Sequence, residues 1–181
     1  MTSRAKAEIT LPKLYLAGKI GRYDWRHSLV PNLRAHLWTD GPIVTPTYSY
    51  VGPFFVSCDH ACLHGPNQHG AIGRGDACES PFTRQDVISN NNAAIAMADL
   101  VFAFISARDA YGTLNEIGYS LGLGKRVVVA FAPAIEPADF WFAALQCAAV
   151  YHTVRPCCLE AILSDEIVKS TPRVRTGGLV S

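Results

Sequence analysis

The stretch "LVFAFISARDAYGTLNEIGYSLGLGKRVVVAF" (residues 100–131) contains the unit from which the fold is inferred. It opens on a continuous apolar run, passes through a polar loop into a Gly- and Leu-rich helix pattern, and ends in a run rich in valine. Continuous apolar strands are typical of parallel sheets that are covered on both faces. The stretch therefore predicts a strand–helix–strand unit, in which Glu116 is the single glutamate.

The same alternation continues on both sides of this unit. Further strand patterns occupy 13–18, 42–47 and 149–154, and further helix patterns occupy 28–37, 82–99, 137–146 and 158–170. Ser28 and the pair Ser80–Pro81 are the expected starts of the first two helices. This order predicts one α/β domain over residues 1–181, a doubly wound, five-stranded parallel sheet of the flavodoxin or Rossmann type with helices on both faces.

Composition limits the classes of partner. The chain has 181 residues, 49% of them hydrophobic and 17% charged, which fits a globular domain with a substantial core. The formal net charge is +1 and there is no dense basic run, so neither nucleic acid nor a membrane surface is an expected partner. Without a signal-peptide pattern or an apolar run of about 20 residues, the expected location is the cytoplasm, with the six cysteines reduced.

Residues 48–80 interrupt the alternation. This segment of about 33 residues is rich in Gly, His and Cys and is too long for an ordinary connection, so it predicts a lid or an inserted hairpin. Cys58, His60, Cys62 and His64 alternate along it, but in an extended chain four such ligands would span about 20 Å, too far for one ion. A folded loop could still gather them, although no metal ligand is assigned. A metal site, a lid that brings Phe54 and His60 to a ligand and a purely structural segment all remain open.

Glu116 has two interpretations. Thr113 and Glu116 have the spacing of a capping box, in which Thr113 begins the helix and Glu116 bonds back to it. Alternatively, Glu116 lies at the ligand-binding edge of the sheet, where a carboxylate kept ionised by the helix dipole can attack an electrophilic carbon. The loops that bind dinucleotides or nucleoside triphosphates through G-x-G-x-x-G or G-x-x-x-x-G-K-[ST] are absent from the sequence.

Three blocks carry a family resemblance: "LYLAG" (14–18), "NNNAAIAMADLVFAFI" (90–105) and "DAYGTLNEIGYSLGLGKRVVV" (109–129). With them the chain resembles nucleoside 2-deoxyribosyltransferases and the related nucleoside and nucleotide N-glycosidases, whose third block reads D-x-G-T-x-x-E-(I/L/V)-G-x-A. The similarity covers residues 13–47 and 82–131.

The resemblance implies chemistry at an anomeric carbon. Glu116 matches the nucleophile that attacks C1′ of a 2′-deoxynucleoside, expels the base and forms a covalent deoxyribosyl ester, which another base or water then cleaves. Asp109 and Asn91 match assisting positions, although a local turn and a polar helix face explain them equally. Gly112 would let the backbone approach the ligand, and Thr113 would receive an anion.

The loop after the first strand, "GKIGRYDWRH" (18–27), is expected to surround the substrate. Its candidate binding residues are Gly18, Lys19, Arg22, Asp24 and Trp25. Lys19 and Arg22 would hold a 5′-phosphate and Trp25 would stack on a base. A solvated basic loop is the alternative interpretation.

The expected activity is transfer of a deoxyribosyl group from a nucleoside, or its 5′-monophosphate, to a free nucleobase. No cofactor is expected, and the family implies a homo-oligomer whose neighbouring chain completes the pocket. Two alternatives remain open, a nucleoside 5′-monophosphate hydrolase that releases free base and a non-catalytic nucleotide sensor.

Overall fold

The computed structural model describes residues 10–21, 24–33, 36, 40–54 and 83–170. A six-stranded, mostly parallel sheet organises them, in the order β2-β3-β1-β4-β5-β6. The strands are β1 Lys13–Gly18, β2 Ile43–Val44, β3 Ser49–Gly52, β4 Leu100–Ile105, β5 Arg126–Phe131 and β6 Ala149–Tyr151. Only β2 runs antiparallel to its neighbour, β3, among the described strands.

Four α-helices accompany the strands within the described ranges. They are α1 Arg84–Met97, α2 Tyr111–Gly122, α3 Trp141–Ala144 and α4 Leu159–Ser170. Short 3-10 helices lie at Trp25–Ser28, Pro137–Phe140 and Pro156–Cys158. Of the helices described, none has the length and apolar character that crossing a bilayer requires.

The alternation of side chains along each strand divides the core between the two faces of the sheet. One face carries Leu16 and Phe102 and packs with Leu163 of α4. The other face carries Tyr15 and packs with Ile117 of α2, together with side chains of α1 and α3. Because both faces are covered, all six residues of β4 are buried, as its continuous apolar sequence predicts. The prediction of a mixed α/β sheet is thus confirmed.

The strand count differs from the predicted five. The predicted second strand, 42–47, stops at Val44 because Thr45 begins a turn: its N–H donates to the Tyr48 carbonyl (2.9 Å) and its hydroxyl oxygen accepts the Tyr48 N–H (3.1 Å). The chain then returns as β3, inside the segment predicted to be a lid or hairpin. Residues 55–80, the remainder of that segment, lie outside the described residues.

Two helix starts also differ from the prediction. At the predicted start of the first helix, a 3-10 helix begins after Asp24, whose carboxylate accepts the Arg26 N–H (3.0 Å), and Ser28 is its last residue rather than its cap. Residues 34, 35 and 37–39 of the predicted helix lie outside the described residues. Helix α1 begins after Thr83 rather than at Ser80–Pro81, because Thr83 forms a capping box with Asp86. In both places the first free N–H groups of the helix are satisfied by a different side chain from the one predicted, Asp24 in the first helix and Thr83 in the second.

A buried carboxylate joins α4 to the sheet. Glu166 is fully buried and accepts hydrogen bonds from Arg126 (2.5 Å), Tyr151 (2.7 Å) and Lys169 (2.8 Å). Burial raises the pKa of Glu166, but these hydrogen bonds outweigh it and bring the pKa below the ordinary 4.5. The ionised form is therefore the one that the folded protein prefers.

Glu166→Gln is expected to lower the free energy of unfolding at pH 7 by about 2 kcal/mol, because the variant leaves Arg126 and Lys169 without their shared anion. The contribution is present above pH 4.5 and is lost as the pH falls through the lowered pKa, so the two proteins converge in acid. Urea denaturation across pH measures this. Asp165→Asn, which removes an exposed partner of Lys169, is the matched control and should cost under about 0.5 kcal/mol. An equal loss of unfolding free energy in both variants would contradict the role of Glu166 as the shared buried anion.

Candidate functional site

Glu116 lies in the second turn of α2, on the side that faces β1. The helix begins at Tyr111, with Ala110 as an N-cap that has no side-chain bond. Thr113 is therefore already inside the helix, where it is buried, and the predicted capping box with Glu116 is wrong. The predicted place in the first turn, next to the positive end of the helix dipole, is also wrong. Contacts with other elements, rather than the helix end, determine the environment of Glu116.

Three elements meet at the Glu116 carboxylate. The hydroxyl of Tyr15, on β1, donates to Oε1 at 2.6 Å, and the side-chain amide of Asn91, on α1, donates to the same oxygen at 3.4 Å. The backbone of Gly18 is a further polar group near the carboxyl group. Tyr15 is completely buried, whereas Glu116 is partly exposed. The structure thus brings together Glu116, Asn91 and Gly18 from the predicted set, with the carboxyl group held at Oε1.

Opposing effects act on the ionisation of this carboxyl group. Burial raises the pKa of Glu116 above the ordinary 4.5, whereas the Tyr15 hydrogen bond, the charge of Arg26 and the Gly18 backbone bond lower it; burial prevails. The pKa of Tyr15 is raised well above 10.0, first by burial and then by the negative charge of Glu116. Tyr15 therefore remains a hydrogen-bond donor.

The loop after β1 is fixed by a buried ion pair. Arg26 and Asp24 are both buried, and Nη1 of Arg26 contacts both oxygens of Asp24 at 3.0 and 2.9 Å. Trp25 packs edge-on against Phe104 in the core, with a centroid distance of 5.5 Å. The sequence predicts substrate binding by Asp24 and Trp25, but Asp24 is occupied by Arg26 and the Trp25 ring lies in the core instead of facing a ligand.

Lys19 and Asp109 form an exposed pair between the β1 and β4 loops. Their Nζ and Oδ2 atoms are 2.5 Å apart, and 47% and 59% of the two side chains are exposed. The hydrogen bond from Lys19 lowers the pKa of Asp109. In this arrangement Asp109 is poorly suited to donate a proton, and its suggested place beside Glu116 is taken by Tyr15.

The remaining predicted binding residues are dispersed. Gly112 is exposed, with open space where a Cβ would lie, so packing within the described residues does not require glycine there. Phe54 stacks on the ring of His36 at 5.2 Å and, with Asn91, lines a cavity of about 10 Å³, the size of one water site. Arg22 and His60 lie outside the described residues.

A larger groove lies elsewhere on α2. It has a volume of about 700 Å³ and is bounded by Tyr111, Leu121, Trp141 and Phe142 among others. Glu116 lines neither this groove nor the small cavity at Asn91.

The sequence does not single out Tyr15, and it offers Arg26 only as a member of the loop after the first strand, without the buried pair that it forms. In the sequence, Tyr15 is one apolar residue of a strand, and Arg26 is one charge of a basic loop. A usable signal is present for Arg26, because Asp24 and Arg26 are two residues apart beside an aromatic residue, a spacing that allows a buried pair. The hydroxyl of Tyr15 gives none, since its partner lies 101 residues away.

The described residues hold no group of three or more His, Cys, Asp or Glu side chains placed to bind a metal ion. The described cysteines, Cys147, Cys157 and Cys158, are free thiols. The Cys- and His-containing stretch 58–78 lies outside the described residues. Compared with models of protein families and with curated protein sequences, the chain shows no match.

Glu116→Gln is expected to raise the free energy of unfolding at pH 7 by roughly 1 kcal/mol, since the amide removes a buried charge and keeps an oxygen for Tyr15. The raised pKa means that the native protein binds the proton more tightly than the unfolded chain, so wild-type stability increases as the pH falls through that pKa. The advantage of the variant should accordingly shrink in acid. Denaturation at several pH values tests this, with exposed Glu160→Gln as the control. A variant less stable than wild type at every pH would refute it.

Proposed function

We propose that this protein cleaves the N-glycosidic bond of a 2′-deoxynucleoside, or its 5′-monophosphate, through a covalent glycosyl ester on Glu116, and transfers the deoxyribosyl group to another nucleobase. The observation that carries the proposal is the Glu116 carboxyl group, drawn away from water and held at Oε1 by Tyr15 and Asn91. A surface glutamate needs no such support. The family resemblance supplies the substrate class.

Glu116 would act as the nucleophile. One carboxylate oxygen attacks C1′ as the bond from C1′ to the base nitrogen breaks, and the departing base takes both electrons. It takes a proton from solvent water, and the N–H of the incoming base returns a proton to solvent in the second step. A carboxylate with a raised pKa is a better nucleophile when it is ionised, and the hydroxyl of Tyr15 stabilises the ionised form. In the second step, nitrogen of an incoming base attacks C1′ and releases Glu116. No cofactor enters this scheme.

Two alternatives differ in outcome from transfer. A hydrolase lets water attack the glycosyl ester, which gives free sugar or sugar phosphate and no exchange between bases. A non-catalytic nucleotide sensor gives no products and binds ligand through the same residues. The positions of Gly112 and of exposed Lys19 suit ligand binding in either case.

Incubating the protein with deoxynucleosides and their 5′-monophosphates, with and without a second free base, is the direct test. Chromatography should show a new nucleoside only when the second base is present. Glu116→Ala should lower the rate by at least about 1,000-fold, because the covalent step is lost. Asn115→Ala, an exposed neighbour on α2, is the matched control and should keep the wild-type rate. Product formation by Glu116→Ala at the wild-type rate would exclude the mechanism.

The proposed enzyme would work as a homo-oligomer that associates through the α2–α3 groove. Tyr111, Phe142 and Leu145 are 76%, 69% and 79% exposed on this side, an unusual concentration of large apolar side chains. Arg108 and Asp139 line the same groove, so two copies related by a twofold axis offer each other opposite charges.

Phe142→Lys and Leu145→Lys are expected to shift the protein toward the elution volume of a monomer in size-exclusion chromatography, because a buried lysine opposes association. Val168→Lys changes an equally exposed apolar residue on α4, outside the groove, and should elute like wild type. A wild-type protein that already elutes as a 19.6 kDa monomer at high concentration would disprove association.

A further inference from the structure

Two adjacent cysteines, Cys157 and Cys158, lie at the surface between β6 and α4. They are the last two residues of the 3-10 helix Pro156–Cys158, and α4 begins at the next residue, Leu159. Leu159 is completely buried, whereas both cysteines are exposed free thiols. The connection is therefore anchored in the core by leucine, and its two thiols are open to reagents in solution.

The two sulfur atoms approach each other to 3.9 Å. Side chains of adjacent residues on a helix ordinarily diverge, so this approach is a particular feature of the turn. The backbone of the turn is fixed, because the N–H of Cys158 donates to the Arg155 carbonyl at 2.9 Å and the N–H of Leu159 donates to the Pro156 carbonyl. The fold thus presents two thiols side by side on an ordered piece of chain.

Cys147 provides a contrast among the described cysteines. Its thiol is half-buried and donates to the Ala143 carbonyl at 3.3 Å, and burial raises its pKa to about 11. The thiolate is the form that binds soft ions, so Cys147 is a poor ligand near neutral pH.

Covalent geometry disfavours a direct bond between the two adjacent sulfurs. The Cα atoms of residues joined by a trans peptide are about 3.8 Å apart, whereas a disulfide usually joins Cα atoms about 4.4–6.8 Å apart. A disulfide between Cys157 and Cys158 would therefore be strained and easily reduced. A bridging atom with a longer bond to each sulfur closes a larger ring and relieves this strain.

The number and direction of the bonds decide which bridging atom fits. Structural zinc takes four protein ligands, and in the part of the chain that the structure describes no group of three or more His, Cys, Asp or Glu side chains is gathered. A linear two-coordinate ion needs its sulfurs on opposite sides. Trivalent arsenic, a soft centre, accepts two thiolates on one side, with a hydroxyl or an organic group as its third substituent.

We propose that Cys157 and Cys158 form a dithiol site that binds trivalent arsenic, as arsenite or its monoorganic forms. Two S–H bonds and two As–O bonds break, two As–S bonds form, and each proton leaves with a hydroxyl group as water. The oxidation states are unchanged, so no oxidant or reductant is needed. Neither cysteine takes part in the proposed glycosyl transfer, and the site does not depend on that activity.

Phenylarsine oxide is the probe, and mass spectrometry of the intact, reduced protein counts the phenylarsenic groups that are bound. Cys157→Ser and Cys158→Ser should each bind one group fewer than wild type, and the double variant should also lose only one, because a single arsenic bridges both sulfurs. Cys147→Ser is the matched control and should bind as many groups as wild type. Single variants that bind as many groups as wild type, or a double variant that loses two, would overturn the proposal.

A thermal-shift measurement separates a site formed by the fold from two neighbouring thiols in any chain. A probe that prefers the native protein raises the Tm, and tenfold tighter binding to the native protein corresponds to about 3–5 °C at saturation for a domain of this size. Phenylarsine oxide should therefore raise the Tm of wild type by this amount more than that of Cys157→Ser. Equal shifts in the two proteins would show that the fold does not prearrange the thiols, which would also overturn the proposal.

Discussion

A hydrogen bond of 2.6 Å from the Tyr15 hydroxyl to Oε1 of Glu116 connects the middle of β1 to the second turn of α2. A carboxyl group drawn away from water loses solvation, and the loss must be compensated by donors or by a positive charge. Tyr15 and Asn91 supply donors, and Arg26 supplies the charge. The packing of α1 and α2 on one face of the sheet is thereby constrained by one side chain, since moving either helix breaks a bond to Glu116.

Both faces of β1 contribute to this arrangement. Tyr15 points to the face covered by α1 and α2, whereas Leu16 points to the other face, toward α4. Arg26 lies beyond the end of the strand and binds the carbonyls of Leu16 and Gly18, so it fixes the strand end from which Tyr15 projects. The ion pair with Asp24 is a poor source of net stability, because two charges must be desolvated. Its value lies in the definite geometry that a bidentate guanidinium imposes on a loop.

The sequence is informative where a pattern is local and poor where partners are distant. The periods of β4, β5 and α4 predict their positions within a few residues, because continuous burial and helical spacing are properties of adjacent residues. The predicted helix starts are wrong at two places, because Asp24 and Thr83, rather than Ser28 and Ser80, cap the first N–H groups. Strand β3 is missed because its partner β1 lies more than 30 residues earlier and its sequence is rich in turn residues. For the candidate site, the resemblance singles out Glu116 and Asn91, whose side chains the fold brings within 3.4 Å of each other, whereas Tyr15 looks like any core residue.

Glu116 and Asp109, which the sequence assigns to one candidate site, are in opposite environments. The pKa of Glu116 is raised by burial, and that of Asp109 is lowered by its bond with Lys19. Opposite shifts of this kind divide roles between two acids, and here they assign Asp109 to an ion pair. The Lys19–Asp109 pair is exposed, however, and such pairs contribute little free energy. Exchanging Asp109 for another anion at Lys19 therefore costs little free energy, which makes Lys19 the better suited of the two residues to meet an anionic substrate of the proposed reaction.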